Sequence, residues 1–207
     1  MIDLYSSPTP NGRKISIMLE ELGVDFNPIL INLDKKEQFS EHFSKISPAN
    51  KIPVIVDNDN NQTVFESGAI LLYLAKKYDK FLNKDKYWEI IQWVFFQMAY
   101  VGPMLGQAHQ YLFYHPGKSK FAEDKTKGYA QHIYSILDKR LSKQEYFSDT
   151  YSIADISIWP WTARYERHQI NLHDYPNVLR WYKQISTRPA VIKGYNSVGE
   201  SYEIPKP

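Results

Sequence analysis

The chain has 207 residues and contains no cysteine. This absence excludes disulfide bonds, thiolate metal sites and a cysteine nucleophile supplied by the protein itself. A reaction that requires a thiol therefore cannot use one of this chain's own side chains.

Strong charge and long apolar runs are also missing. The 25 basic and 23 acidic residues give a net charge of +2, and no basic stretch is typical of a nucleic-acid site. The longest apolar run, residues 69–75, is far too short to cross a bilayer. The six histidines lack the spacing of metal ligands, and no glycine-rich phosphate loop is present. The amino terminus enters a strand and not a signal segment, so we expect a cytoplasmic protein. From the preceding observations we expect no metal, membrane or nucleic-acid partner.

Hydrophobic residues make up 43% of the chain and aromatic residues 15%, which is enough for a packed core. The first 78 residues alternate predicted strands and helices in the order βαβ, short helix, ββα, whereas residues beyond 86 show helical patterns only. The fold class is thus α/β followed by all-α. We predict an α/β domain at residues 1–78, a polar linker at 79–86, and an all-helical domain with a C-terminal tail at 87–207.

The periodicity also predicts the bounds of each element. Strands are predicted at residues 2–5, 27–33, 52–58 and 62–66. Helices are predicted at residues 12–22, 67–78, 87–107, 122–141, 152–169 and 176–186, with a short helix or turn at 38–44. We expect the helix at 87–107 to bend or end near Gly102 and Pro103, and the tail after Tyr195 to be irregular.

A tight loop joins the first strand to the first helix in the stretch "IDLYSSPTPNGRKISIMLEEL". The amide groups and dipole of a helix start stabilise negative charge, so such a junction often carries a reactive group. The polar side chains that this junction offers are Ser6, Ser7, Thr9 and Asn11.

Two further motifs favour recognition of a peptide-like ligand. In "KIPVI", Pro53 either simply opens a strand or follows a cis bond that turns the backbone of Ile52 toward a ligand. In "FESGAI", Ser67 is a good N-cap, and a helix start flanked by a hydroxyl is also a carboxylate site. Glu66 beside it could hold an ammonium group, so the pair would suit the head group of an α-amino acid.

In "SIADISIWPW", Ser152 and Asp155 have the spacing of a capping box, which we interpret as a stability motif. Four features together resemble the cytosolic glutathione transferase family over essentially the whole chain. They are the strand–loop–helix opening, the strand that begins with Ile-Pro, the helix that begins at Glu-Ser, and the "SIAD" motif. The stretches "YSSPTPNG", "ISPANKIPVIVD", "FESGAILLYLA" and "GPMLGQ" are similar to its nu class, which includes bacterial disulfide-bond oxidoreductases, and to the yeast Ure2-like relatives.

The resemblance implies a thioredoxin-like first domain, a cis bond before Pro53, glutathione as cosubstrate, also bound in its oxidised form, and a homodimer. It implies roles for the matching site residues. Thr9 and Asn11 would face the glutathione sulfur, Gln38 and Lys51 would hold the glycine carboxylate, Ile52 would pair with the cysteinyl backbone, and Glu66 and Ser67 would hold the γ-glutamyl group. Lys125 stands where some nu-class enzymes place an arginine of the partner subunit, and lysine supplies charge without a bidentate fork.

Three functions follow, of which we expect the first and keep the other two as alternatives. In the first, a glutathione thiolate stabilised by Thr9 and Asn11 attacks a small disulfide, as in a disulfide-bond reductase. In the second, a conjugating transferase uses Tyr5, Ser6 or Ser7 as the partner of the thiol, which attacks an electrophilic carbon. In the third, the chain is a non-catalytic glutathione-binding regulatory module.

Overall fold

The computed structural model describes residues 1–207 and contains four strands and nine α-helices. The strands are β1 (Ile2–Ser6), β2 (Phe26–Leu30), β3 (Val54–Asp57) and β4 (Gln62–Phe65). The helices are α1 (Pro10–Leu22), α2 (Glu41–Ile46), α3 (Ser67–Tyr78), α4 (Tyr87–Phe96), α5 (Gly102–Ala108), α6 (Lys120–Leu141), α7 (Ile153–Thr162), α8 (Pro176–Ser186) and α9 (Pro189–Tyr195).

The chain divides into two compact units. The first comprises Met1–Leu82 with Thr187–Ile204, and the second comprises Asn83–Ser186 with Pro205–Pro207. The C-terminal region thus differs from the division drawn from the sequence, because α9 packs with the first unit and not with the other late helices.

The first unit is built on a four-stranded mixed sheet in the order β2-β1-β3-β4. β1 pairs with β2 in parallel across α1, whereas β1 with β3 and β3 with β4 are antiparallel. This is the predicted βαβ-ββα order of a thioredoxin-like domain, so the expected fold class is confirmed. The expected second strand ends at Leu30, earlier than predicted, and the third begins at Val54, after the Ile-Pro pair.

Helix α1 is buried on nearly all sides because it packs against both α3 and α9. Its start is capped by Thr9, whose Oγ1 accepts a hydrogen bond from the Gly12 amide at 3.2 Å, with Pro10 as the first helical residue. Close approach to α9 requires Gly194, since a Cβ there would lie 2.5 Å from the Cα of Ile17.

The second unit is helical, and the capping box that starts α7 is confirmed. Ser152 Oγ accepts a bond from the Ala154 amide, and Asp155 accepts one from the Ser152 amide at 3.0 Å. Asp155 is fully buried and also accepts a bond from Trp181 Nε1 at 2.9 Å, which ties α7 to α8.

Two predicted helices are interrupted. The helix expected at 87–107 consists of α4 and α5 separated by a π-helical turn, Gln97–Val101, and a second π-helical segment, His109–Tyr114, follows α5. Pro103 has no amide hydrogen to donate, and the wider turn before it accommodates that loss. The helix expected at 152–169 ends at Thr162, after which the chain tightens into a 3-10 turn, Tyr165–His168. None of the helices has the length and apolarity needed to cross a membrane.

Candidate functional site

A cavity lies where the first turns of α1 and α3 meet the segment that leads into β3. We call it the helix-start cavity. Six of the nine predicted site residues line it, namely Asn11, Lys51, Ile52, Pro53, Glu66 and Ser67. Its remaining lining residues are Ser47, Ala49 and Phe65. The fold therefore brings together three motifs that are distant in the sequence.

The start of α3 differs in detail from the predicted N-cap. Ser67 is the first residue of the helix, and Glu66 occupies the N-cap position with a φ of 70° and no capping bond from its side chain. A positive φ is uncommon for glutamate and is a local strain often found at functional sites. Glu66 is exposed and Ser67 is buried, so an acid and a hydroxyl stand side by side at a helix start.

The Ser67 hydroxyl is contacted from inside the protein by Lys14. The side chain of Lys14 is completely buried, and its Nζ lies 3.1 Å from Ser67 Oγ. Burial holds the pKa of Lys14 well below its usual range, and the negative charge of Glu66 opposes that effect. The Lys14 amine, which donates to Ser67, and a helix start thus lie behind this wall of the cavity, which suits a carboxylate ligand.

The opposite wall is the chain before β3. The Ile52–Pro53 peptide bond is cis, as the resemblance implies. Lys51 is exposed, and its backbone is fixed by Ser47, whose Oγ donates to the Lys51 carbonyl at 2.8 Å and accepts from the Lys51 amide at 3.0 Å. Ser47 therefore holds the wall that carries Ile52.

A second cavity borders the β1–α1 loop, and we call it the tail cavity. It is lined by the loop residues Ser7, Pro8 and Thr9, by residues 30–34 after β2, and by Gly199, Glu200 and Tyr202 of the C-terminal tail. Thr9 lines the tail cavity and Asn11 lines the helix-start cavity. The two predicted thiolate partners thus flank the start of α1, each facing a different cavity.

Two predicted site residues line neither cavity. Gln38 lies in a 3-10 turn, Glu37–Phe39, and its buried Oε1 has no hydrogen-bond partner. Lys125 lies exposed on α6 in the second unit, where its Nζ is 5.6 Å from the ring centroid of Phe121.

The side chains considered for a conjugating mechanism have other contacts. The ring of Tyr5 packs against His42 and Phe43, and burial and Asp3 raise its pKa. Ser6 is fully buried and lines neither cavity. The Ser7 hydroxyl donates a short hydrogen bond to the Ile31 carbonyl. These contacts hold the side chains of Tyr5 and Ser7 within the sheet and the loop.

Sequence reasoning missed Lys14 and Ser47. For Lys14 a signal existed, because it precedes Met18 by four positions and so shares the buried face of α1. For Ser47 no local pattern distinguishes it from any serine in a turn.

Comparison with known proteins shows the family of this chain. The family model for the N-terminal domain of glutathione S-transferase matches residues 1–76, and the model for the C-terminal domain matches residues 100–189. The disulfide-bond oxidoreductase YfcG of Escherichia coli K12 is 43% identical over 198 residues, which cover 92% of each chain.

Solved structures with the same fold contain glutathione. A glutathione transferase from Burkholderia graminis, with two glutathione molecules per subunit, superposes with a TM-score of 0.89 at 38% identity and covers 95% of this chain and 88% of its own. One from Pseudomonas putida, with one glutathione disulfide per subunit, has a TM-score of 0.89 at 36% identity, covering 94% and 90%. Fold, motifs and matched domains agree: this chain belongs to the glutathione S-transferase family, near its bacterial disulfide-bond oxidoreductases.

Proposed function

We propose that this protein is a glutathione-dependent disulfide-bond reductase whose reactive thiol belongs to bound glutathione. The observation that carries the proposal is the helix-start cavity, in which Asn11, Ile52, Glu66 and Ser67 meet in a chain without cysteine. The name of YfcG and the glutathione disulfide in the Pseudomonas putida structure support the same reaction.

In the proposed complex each part of glutathione meets a matching group. Glu66 and Ser67 hold the ammonium and carboxylate of the γ-glutamyl end, and the backbone of Ile52 pairs with the cysteinyl unit. Lys51 and Gln38 hold the glycine carboxylate, with the Lys51 ammonium and the Gln38 side-chain NH2 as the donors.

In this proposal the sulfur lies at the start of α1 at the edge of both cavities, so that Thr9 of the tail cavity and Asn11 of the helix-start cavity both contact it. The Thr9 Oγ1 already accepts from the Gly12 amide, so its O–H can donate to a thiolate, and the Asn11 amide is a second donor. Donors and the helix dipole favour the charged form, so they lower the pKa of the glutathione thiol.

The reaction proceeds by two thiol–disulfide exchanges. The first glutathione thiolate forms a bond with one sulfur of the substrate disulfide, and the other sulfur leaves as a thiolate. A second glutathione thiolate attacks the glutathione sulfur of the mixed disulfide and releases the second substrate thiol. Two glutathione molecules become glutathione disulfide, and their two protons end on the substrate thiols.

Assembly as a homodimer belongs to the same proposal. Lys125 of one subunit would then supply positive charge near the ligand of its partner, without the paired hydrogen bonds of an arginine. The cellular location proposed is the cytoplasm, where reduced glutathione is abundant.

The test compares two substrates on matched variants. We expect wild-type protein to reduce a small disulfide with glutathione much faster than it conjugates an aryl halide. Asn11→Ala and Thr9→Ala should each lower disulfide turnover about ten-fold or more, because each removes a hydrogen bond to a charged sulfur.

Thr9→Ser is the matched control, because serine keeps both the cap and the donor, and it should retain most of the activity. Tyr5→Phe should leave disulfide reduction unchanged. Unaltered turnover in both alanine variants would contradict the proposed mechanism, and an aryl-halide activity that depends on Tyr5 would favour conjugation.

A further inference from the structure

Lys14 is a buried cation placed behind the ligand cavity. It lies on the first turns of α1, with none of its side chain exposed, and Ser67 begins α3 with 4% of its surface exposed. The 3.1 Å contact between Lys14 Nζ and Ser67 Oγ joins the two helix starts from inside the protein. Neither the sequence motifs nor the proposed ligand set includes Lys14.

The chemistry of this contact restricts the direction of the Ser67 hydroxyl. In this contact Lys14 Nζ donates and Ser67 Oγ accepts, as for an ammonium group, which has three donors and no acceptor. The hydroxyl hydrogen then points away from Lys14 as a donor. Because Ser67 lines the helix-start cavity, a ligand carboxylate there is a suitable acceptor.

An anionic ligand would favour the charged form of Lys14. Burial disfavours the ammonium form, and Glu66 is the negative charge that supports it. A carboxylate held beside Ser67 would support it further, since a nearby opposite charge offsets desolvation.

We propose that Lys14 is a positioning residue for the α-carboxylate of the γ-glutamyl group, acting by holding the Ser67 hydroxyl as a donor toward that carboxylate. The inference rests on the proposed function in one respect, namely that the helix-start cavity binds glutathione. It adds a residue that touches Ser67 and not the ligand.

The test is the affinity for S-methylglutathione, a probe without a free thiol, measured by calorimetry on three variants. Lys14→Met keeps the length of the side chain but removes the donor, and we expect the Kd to rise about ten-fold or more. Lys14→Gln keeps an N–H donor of similar reach, and we expect it to recover most of the affinity. Lys80→Met, an exposed lysine in the same unit, should bind like wild type.

Thermal unfolding separates positioning from a structural role. Replacing a buried charge by an apolar side chain of similar volume is often neutral or stabilising, so the Tm of Lys14→Met should be unchanged or higher. Wild-type affinity in Lys14→Met would overturn the inference, as would equal losses in the Met and Gln variants or a loss that accompanies a lower Tm. If wild type itself does not bind the probe, the proposed function fails and not the role of Lys14.

Discussion

Thr9 serves both the fold and the proposed chemistry. Its Oγ1 accepts from the Gly12 amide and so caps α1, which leaves the O–H as a donor at the same helix start. A cap of this kind contributes about 1 kcal/mol to stability. The loop geometry that positions Thr9 is therefore maintained by the residue that would contact the sulfur.

Gly12 is required by the close approach of the β1–α1 loop. A Cβ at this position would lie 2.2 Å from the Ser7 carbonyl oxygen, a backbone atom that cannot move without shifting the loop. We expect Gly12→Ala to lower the free energy of unfolding by roughly 1–3 kcal/mol. Glutathione affinity should fall as well, because Thr9 and Asn11 move with the loop.

Gly128→Ala is the matched control. Gly128 lies within α6 and has open space around its missing Cβ, so alanine should raise the unfolding free energy by roughly 0.5–1 kcal/mol. Denaturant unfolding of both variants checks the pair. A neutral Gly12→Ala variant with unchanged glutathione affinity would show that the loop can relax.

The positions of single residues were predictable where those residues belong to a short sequence motif. Glu66 and Ser67 adjoin a helix start, as predicted, and both line the helix-start cavity, whereas their role toward a ligand stays a prediction. The exact cap was wrong, because the positive φ of Glu66 depends on tertiary packing that a local motif does not contain. Lys14 was missed for a similar reason, because its proposed role depends on its contact with Ser67 of α3.

At the scale of elements, Asp57 ties the end of β3 to α3. Its carboxylate accepts a hydrogen bond from Tyr73 at 2.6 Å and a short one from Lys77, which also pairs with Asp59 at 2.8 Å. Burial alone would raise the pKa of Asp57, but the bonds from Lys77, Tyr73 and the Asp59 amide outweigh it, so the pKa is lowered. The same lysine and the N-terminal ammonium lower the pKa of Asp59 to about 2.

This contact predicts acid sensitivity of the first unit. A carboxyl whose folded pKa is lowered contributes stability above its unfolded pKa of about 4, and the contribution is lost as the pH falls through the folded value. We expect Asp57→Asn to lower the unfolding free energy at neutral pH and to reduce its decline in acid. Unfolding curves across the acid range check this.

Asp34→Asn, an exposed acid in the same unit, is the control and should keep the wild-type pH profile. An Asp57→Asn variant whose stability declines in acid as steeply as wild type would argue against this assignment.

Whole elements were predictable wherever apolar periodicity is long. α3 and α8 have the bounds that the sequence predicts, and α6 begins two residues earlier than predicted. The π-helical segments beside α5 have no signature beyond Pro103, and α9 is only seven residues long and begins with proline. Their conformations depend on tertiary packing, which the apolar periodicity of the sequence does not indicate.

At the scale of the molecule, the C-terminal region joins the first unit. The Arg188 guanidinium contacts the Glu21 carboxylate with Nε–Oε1 and Nη2–Oε2 distances of 2.6 and 2.7 Å, and Gly194 lets α9 lie against α1. Tyr202 of the tail lines the tail cavity beside Thr9. The sequence alone could not predict that α9 packs against α1, because no local pattern indicates which element a terminal helix contacts.

In the proposed mechanism a protein without cysteine uses the thiol of bound glutathione. Calorimetric titration with oxidised glutathione is the sharpest test of this mechanism, because the ligand places two linked glutathione units in the site at once. We expect micromolar binding to the wild-type protein, weakened in Asn11→Ala. Absence of binding at two temperatures, which guards against a binding enthalpy near zero, would show that the mechanism is wrong.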